Sequence, residues 1–132
     1  MMNLEQRQAR AVKANLLLQK IGDCGRRFFY YKGRYAKLSV RDNGRVWFRD
    51  EYTQKDIYTH SSRQWSGFNH GGTMRNLIQA LRDYITGVSE HIPRGILGPW
   101  PSLYAGGDPW GYGCDMEAVR SQARYLGLTP GL

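Results

Sequence analysis

Apolar and polar positions follow two different periods along this chain. Residues 4–21 hold good helix formers and predict a first helix, with Gly22 placed to end it. Its apolar stripe is blurred, because Leu16, Leu17 and Leu18 are consecutive. Residues 27–31, Arg-Phe-Phe-Tyr-Tyr, have strand composition. Period-two alternation then runs through 34–41 and 45–50, on either side of Asp42-Asn43-Gly44. A two-residue Asn-Gly loop would pair Arg41 with Val46 and Ser39 with Phe48, mixing polar and apolar residues on both faces. A three-residue loop with Gly44 in the left-handed region pairs Val40 with Val46 and Leu38 with Phe48. The second register gives one clean apolar face, so it is the expected one. Residues 56–60 suggest a further strand.

Helical spacing returns with Met74, Leu77, Ile78, Leu81, Tyr84 and Ile85, a helix over 74–86 with Thr73 as N-cap and Gly87 as terminator. Residues 61–72 read as a polar connection leading into it. Residues 88–114 hold four prolines, six glycines and no clear period, so an irregular loop is expected. Asp115 is placed to cap a last helix over about 116–126, which Gly127, Leu128 and Pro130 stop. The order predicts an α+β fold: an N-terminal helix, a three- to four-stranded antiparallel meander, a packed helix, a long Gly/Pro/aromatic loop and a C-terminal helix. One domain over 1–132 is expected. It divides into a basic helix and sheet (1–60), a core helix (73–87), an irregular loop (88–114) and a C-terminal helix (115–127). A chain of this length buries about two thirds of its unfolded surface, enough for a core without staples.

Charge changes this picture more than composition does. The net charge is +8, and its distribution is one-sided. Residues 1–50 hold twelve Lys/Arg against four Asp/Glu, a net of +8; residues 51–132 hold seven of each. Such asymmetry suits a polyanionic partner, whether DNA, RNA or an acidic protein surface. The expected register gathers Tyr35, Lys37, Arg41, Arg45, Trp47 and Arg49 on the polar face of the sheet. Cations there meet phosphates, and exposed rings stack on unpaired bases at roughly 1–3 kcal/mol each. Arg7, Arg10 and Lys13 extend the positive surface onto the first helix. Trp100, Tyr104, Trp110 and Tyr112 in the long loop form a secondary candidate surface, since Trp and Tyr are enriched at interface hot spots.

Signatures of chemistry are missing. His70-Gly71-Gly72-Thr73 lacks the lysine of a phosphate-binding loop and the dinucleotide fingerprint. His60, His70 and His91 are scattered, so a metal-independent nuclease built on a histidine pair stays a distant alternative. Cys24 and Cys114 lack the paired short spacings of a zinc site, and no metal or cofactor is expected. The N-terminus reads polar and helical, with Glu5, Arg7, Arg10 and Lys13, and not as a signal peptide. No apolar run approaches the length of a membrane span. A cytoplasmic protein with free thiols and no membrane partner is the expectation.

Two segments carry a resemblance. The first is Tyr58-Thr59-His60, then Arg63-Gln64-Trp65-Ser66-Gly67-Phe68-Asn69-His70-Gly71-Gly72-Thr73 and the helix to Ile85. The second is Trp110-Gly111-Tyr112-Gly113 leading into Asp115-Met116 and Val119-Arg120. Together they cover under half the chain and resemble small accessory proteins of tailed phages and enteric prophages. That group supplies no activity to carry over, so no residue gains a role from it. The resemblance implies a non-enzymatic protein that inhibits a host nucleic-acid-handling defence complex by direct binding, in the manner of anti-CRISPR proteins. Its partner is then a host protein or nucleoprotein complex in the bacterial cytoplasm. The alternative is a DNA- or RNA-binding protein using the basic-aromatic sheet face.

Overall fold

The computed structural model describes residues 2–24, 29–65, 71–97 and 113–130. The first helix, α1, spans Leu4–Gly22. A capping box starts it: the Asn3 side chain accepts from the Gln6 N–H at 2.8 Å, and the Asn3 N–H donates to the Gln6 side chain at 3.0 Å. Gly22 is the last helical residue and Asp23 the cap, one position beyond the expected stop. The three leucines separate by face: Leu17 and Leu18 are fully buried, and Leu16 is exposed.

Two antiparallel sheets follow. Strands β1 (Tyr30–Tyr31) and β2 (Arg34–Tyr35) make a small hairpin. Strands β3 (Lys37–Val40), β4 (Val46–Asp50) and β5 (Lys55–Tyr58) make a three-stranded meander in sequential order. The expected single strand over 34–41 is therefore divided at Ala36, whose N–H donates to the Phe29 carbonyl at 2.8 Å in continuation of the β1–β2 register, while Lys37 onward pairs with β4. Of the expected strand over 27–31, only Tyr30–Tyr31 is a strand; residues 27 and 28 lie outside the described residues.

The main hairpin has the expected register, Val40 with Val46 and Leu38 with Phe48. Gly44 sits at φ +81, and its N–H donates to the Arg41 carbonyl at 2.7 Å. Arg41 N–H then donates to the Arg45 carbonyl at 3.0 Å, closing a three-residue loop. A side chain at Gly44 would be strained at this φ and would also press on the Arg7 guanidinium, 3.1 Å from an added Cβ.

Helix α2 spans Gly71–Thr86 and helix α3 spans Gly113–Tyr125. Both begin at a glycine, two or more residues before the capping positions assigned to Thr73 and Asp115, which are therefore inside the helices. The N–H groups of a first turn have no intrahelical partner whatever the residue, so a glycine there forfeits little. At the far end of α3, the buried Leu128 returns its N–H to the Ala123 carbonyl at 2.9 Å.

One face of the meander is covered. Leu38, Val46, Phe48 and Ile57 point inward and join Leu17, Leu18, Ile21, Leu77, Ile78 and Leu81 in a single core. Helix α1 lies centrally, packed on β3, α2 and α3, while α2 reaches β4. Both α1 and α2 thus pack on the apolar face of the meander. Trp65, placed by the sequence in a polar connection, is buried with its ring stacked on Phe48 at 6.2 Å. Among the described residues, five strands in two small sheets with three α-helices make an α+β fold.

Both outer edges of the meander are capped by amide side chains. Ladder alternation turns the Leu38 N–H and C=O away from β4. Asn15 of α1 takes both: its Oδ1 accepts from Leu38 N–H at 2.7 Å and its Nδ2 donates to Leu38 C=O at 2.8 Å. At the opposite edge Gln64 Oε1 accepts from Tyr58 N–H at 2.6 Å. Each of these bonds takes up an edge group that a further strand would otherwise use. Asn15→Ala is expected to cost about 2 kcal/mol, since it orphans two backbone groups beside a buried side chain. Urea unfolding measures it, and a loss below about 0.5 kcal/mol would mean that water replaces the clamp.

Candidate functional site

The outer face of the meander is the surface the helices leave uncovered. The register projects Lys37, Ser39, Trp47, Arg49, Asp56 and Tyr58 onto it, with Arg41 and Arg45 flanking the turn. Trp47 is half-buried. Its ring packs against Tyr58 on β5, with centroids 5.4 Å apart and planes inclined by 34°. The Arg41 guanidinium carbon lies 3.8 Å from the Trp47 ring centroid. The Arg45 guanidinium carbon lies 5.3 Å from the Tyr58 centroid. Two cations are thus seated on two adjoining rings, each contact contributing about 0.5–1 kcal/mol. Trp47 Nε1 is buried and finds no acceptor among the described residues.

A guanidinium over a ring keeps its in-plane N–H groups clear for an anion. Arg41, Arg45 and Lys37 make no ion pair among the described residues and are exposed. The aromatic platform therefore presents charge. It does not offer an open Trp47 face for a base, because Arg41 occupies one side of that ring.

The other basic residues singled out from the sequence are used differently. Arg49 is bound on three sides, to Glu51 and Asp56 at 3.5 Å each and to the Gln54 side chain at 2.9 Å. Arg7 donates to the Gly44 carbonyl at 2.8 Å, holding the hairpin loop to α1. Arg10 donates to the Tyr84 carbonyl at 2.7 Å, pairs with Glu90 at 3.1 Å and lies 4.6 Å from the Tyr84 ring centroid. These three arginines tie elements together. Lys13 is exposed on α1. Tyr35 belongs to the small hairpin rather than the meander, and its hydroxyl donates to the Asp23 carboxylate. Trp100, Tyr104, Trp110 and Tyr112 lie outside the described residues, as does His70.

Tyr58 is the member of the site that sequence reasoning missed. The signal was present: Ile57 is apolar and faces in, so Tyr58 must face out. What was lacking was the β4–β5 register that sets it beside Trp47. Tyr58 also meets the His60 ring edge-on at 5.6 Å. Burial holds His60 below the ordinary histidine value of 6.5; Arg82 pushes the same way and Asp83 opposes. Arg82 is fixed by Asp83 at 3.0 Å and by the Thr59 carbonyl at 2.7 Å. A neutral His60 adds no charge to the face at neutral pH. Among the described residues no three His, Cys, Asp or Glu side chains gather as a metal site would need. No helix among them is long and apolar enough to cross a membrane.

The family model described as YoqU matches residues 3–130. A curated relative, the "SPbeta prophage-derived uncharacterized protein YoqU" of Bacillus subtilis (strain 168), is 30% identical over 119 residues, spanning 86% of this chain and 78% of the relative. No solved structure matches the chain. The expected likeness to accessory proteins of tailed phages and enteric prophages is borne out as far as a prophage-derived relative, here from a Bacillus.

His60 is expected to titrate with a midpoint below 6.5, followed by its ring-proton NMR shifts. Asp83→Asn removes the one raising charge and lowers the midpoint further. The folded value lies below the unfolded one, so the neutral ring favours the fold. This contribution is complete above the ordinary histidine value and is lost as pH falls toward the folded midpoint. A midpoint at or above 6.5 would place the ring clear of Arg82.

Proposed function

The chain belongs to the YoqU family, and from that premise we propose that it is a non-enzymatic, phage-type protein that binds nucleic acid through the outer face of its meander. The observation that carries this reading is the seating of Arg41 on Trp47 and Arg45 on Tyr58, with Lys37 on the same face. Stacking holds each guanidinium in place while leaving its hydrogen-bonding edge exposed. Three positive groups unpaired among the described residues, close together on a flat sheet, suit a row of phosphates. Phosphate contacts of this kind position a protein without reading sequence, so binding is strongly salt-dependent and weakly base-selective.

The prophage origin of the relative favours a second reading, that the chain inhibits a host defence complex in the anti-CRISPR manner. The same face would then dock on an acidic surface of a host protein, and inhibition would follow from that contact. Both readings use the same residues, and direct binding to naked nucleic acid separates them.

Binding to short labelled DNA and RNA across a salt series tests the proposal. The expected logarithmic salt slope reflects about three phosphates. Arg41→Gln with Arg45→Gln should reduce that slope by roughly two and cost at most about 1–2 kcal/mol of stability, the loss of the two ring contacts, so the protein stays folded. No binding at low salt would discard the nucleic-acid reading. An unchanged slope in the double variant would discard this face.

A further inference from the structure

The strand register lays out the outer face of the meander as three rows. Arg41 and Arg45, paired at the hairpin end, make the first. Ser39, Trp47 and Tyr58 make the second; Lys37, Arg49 and Asp56 make the third. Successive rows are two residues apart, so the first and third are separated by about 14 Å. Charge is uneven across them. Arg49 is matched by Glu51 and Asp56. The surplus therefore runs along β3 and the hairpin end, through Lys37, Arg41 and Arg45. Asp42, exposed in the loop, offsets part of it.

Both rings of the face already carry a cation. Arg41 lies over Trp47 and Arg45 over Tyr58, the two rings pack on each other, and His60 meets Tyr58 edge-on. A base stacking there would have to displace a guanidinium, and an unpaired base binds through an open ring. The ring cluster at the small hairpin does not supply the missing stack. Tyr30 packs on Tyr35, Tyr31 meets Tyr52, and Lys32 Nζ lies 5.4 Å from the Tyr31 centroid. The Tyr35 hydroxyl there donates to the exposed Asp23 carboxylate, which also repels phosphate. A three-stranded sheet is moreover broader than the two-stranded ribbon that a major groove admits. The face thus rests on phosphates and does not reach base edges.

Contact confined to phosphates favours the more densely charged ligand. A duplex carries one charge per about 1.7 Å of its axis, and a stacked single strand one per about 3.4 Å. Over about 14 Å that is about eight charges against about four. Each phosphate neutralised on a duplex also releases about 0.9 of a counterion, against about 0.7 on a single strand.

We infer that this protein prefers double-stranded to single-stranded nucleic acid, holding duplex phosphates with Arg41, Arg45 and Lys37. The inference rests on the nucleic-acid reading above and adds the class of strand to it. With three phosphates neutralised, the logarithmic salt slopes are about 2.7 for the duplex and about 2.1 for the single strand. Where phosphate contact alone separates the ligands, the two affinities converge toward about 1 M salt. The duplex is then favoured about tenfold at about 20 mM salt and about threefold at about 200 mM.

Fluorescence anisotropy with a labelled duplex of about 20 base pairs and an oligothymidine of about 20 nucleotides tests it at those two salt concentrations. The duplex should bind about tenfold tighter at the lower salt, and the preference should shrink at the higher. Arg41→Gln with Arg45→Gln should weaken binding to both and reduce the low-salt preference to about twofold. Tyr58→Leu, which keeps every charge, should leave the preference unchanged. Equal affinity, a preference for the oligothymidine, or a duplex preference that does not shrink with salt overturns the inference and leaves the nucleic-acid reading standing. A loss confined to the oligothymidine in Tyr58→Leu overturns it too, since that ring then stacks a base. A double variant that binds both ligands as the wild type does overturns this face. Wild-type protein that binds neither ligand at the lower salt overturns the nucleic-acid reading, and this inference with it.

Discussion

The register of one hairpin decides what the whole outer surface contains. Side chains alternate along β4 with a period of two, so burying Val46 and Phe48 under α1 and α2 commits Trp47 to the other face. A slip of one residue would drive Trp47 and Arg49 into the core and expose Phe48. Several contacts oppose that slip together. Gly44 supplies the left-handed residue that a three-residue loop needs. Arg7 grips the Gly44 carbonyl from α1, and Asn15 clamps Leu38 one strand away. Helix and hairpin are thus locked at two points of the same strand pair, and the outer face inherits its geometry from the inner one.

Eight described basic residues of the first fifty positions divide into two kinds once the fold is known. Arg7, Arg10 and Arg49 are consumed by structure: a carbonyl, a helix end with Glu90, and a carboxylate pair. Arg41, Arg45, Lys37, Lys32 and Arg34 stay in solvent. Exposed like charges on a small domain repel each other and contribute little to stability. Stacking on Trp47 and Tyr58 offsets part of that repulsion for two of them. It also restricts their side chains, so less freedom is lost when an anion arrives.

Much of the fold was legible in the sequence because it was written in local patterns. The hairpin register followed from Gly44 and the alternation around it. The core of α2 followed from the helical spacing between Met74 and Ile85. The composition of the site was harder to read, for a physical reason. Whether an arginine is free depends on partners distant in sequence: Arg10 meets Glu90, and nothing near position 10 announces it. Arg49 looked equivalent to Arg41 by alternation, yet the β4–β5 turn brings Glu51, Gln54 and Asp56 around it. Tyr58 was missed because membership depended on a second strand pairing. Trp65 was missed because a polar stretch gives no sign that its one large ring folds back onto Phe48. The division of the long strand at Ala36 was equally hidden, since it depends on the carbonyl of Phe29.

The two aromatic clusters share a logic that charge alone would not supply. A purely electrostatic surface needs only lysines, which hold phosphates as mobile point charges. Here the cations are set against rings: Arg41 on Trp47, Arg45 on Tyr58 and Lys32 by Tyr31. Rings in these positions are costly to leave partly in water. For Trp47 the cost is double, since its indole nitrogen is buried and finds no acceptor among the described residues. Burying Trp47 in the core would have been the more stabilising use of its area. Its place on the open face, under a guanidinium, exchanges some stability for a cation held at a fixed height above the sheet. With Arg45 seated on Tyr58 beside it, the open face carries two cations whose positions are set by the rings beneath them and, through those rings, by the strand register.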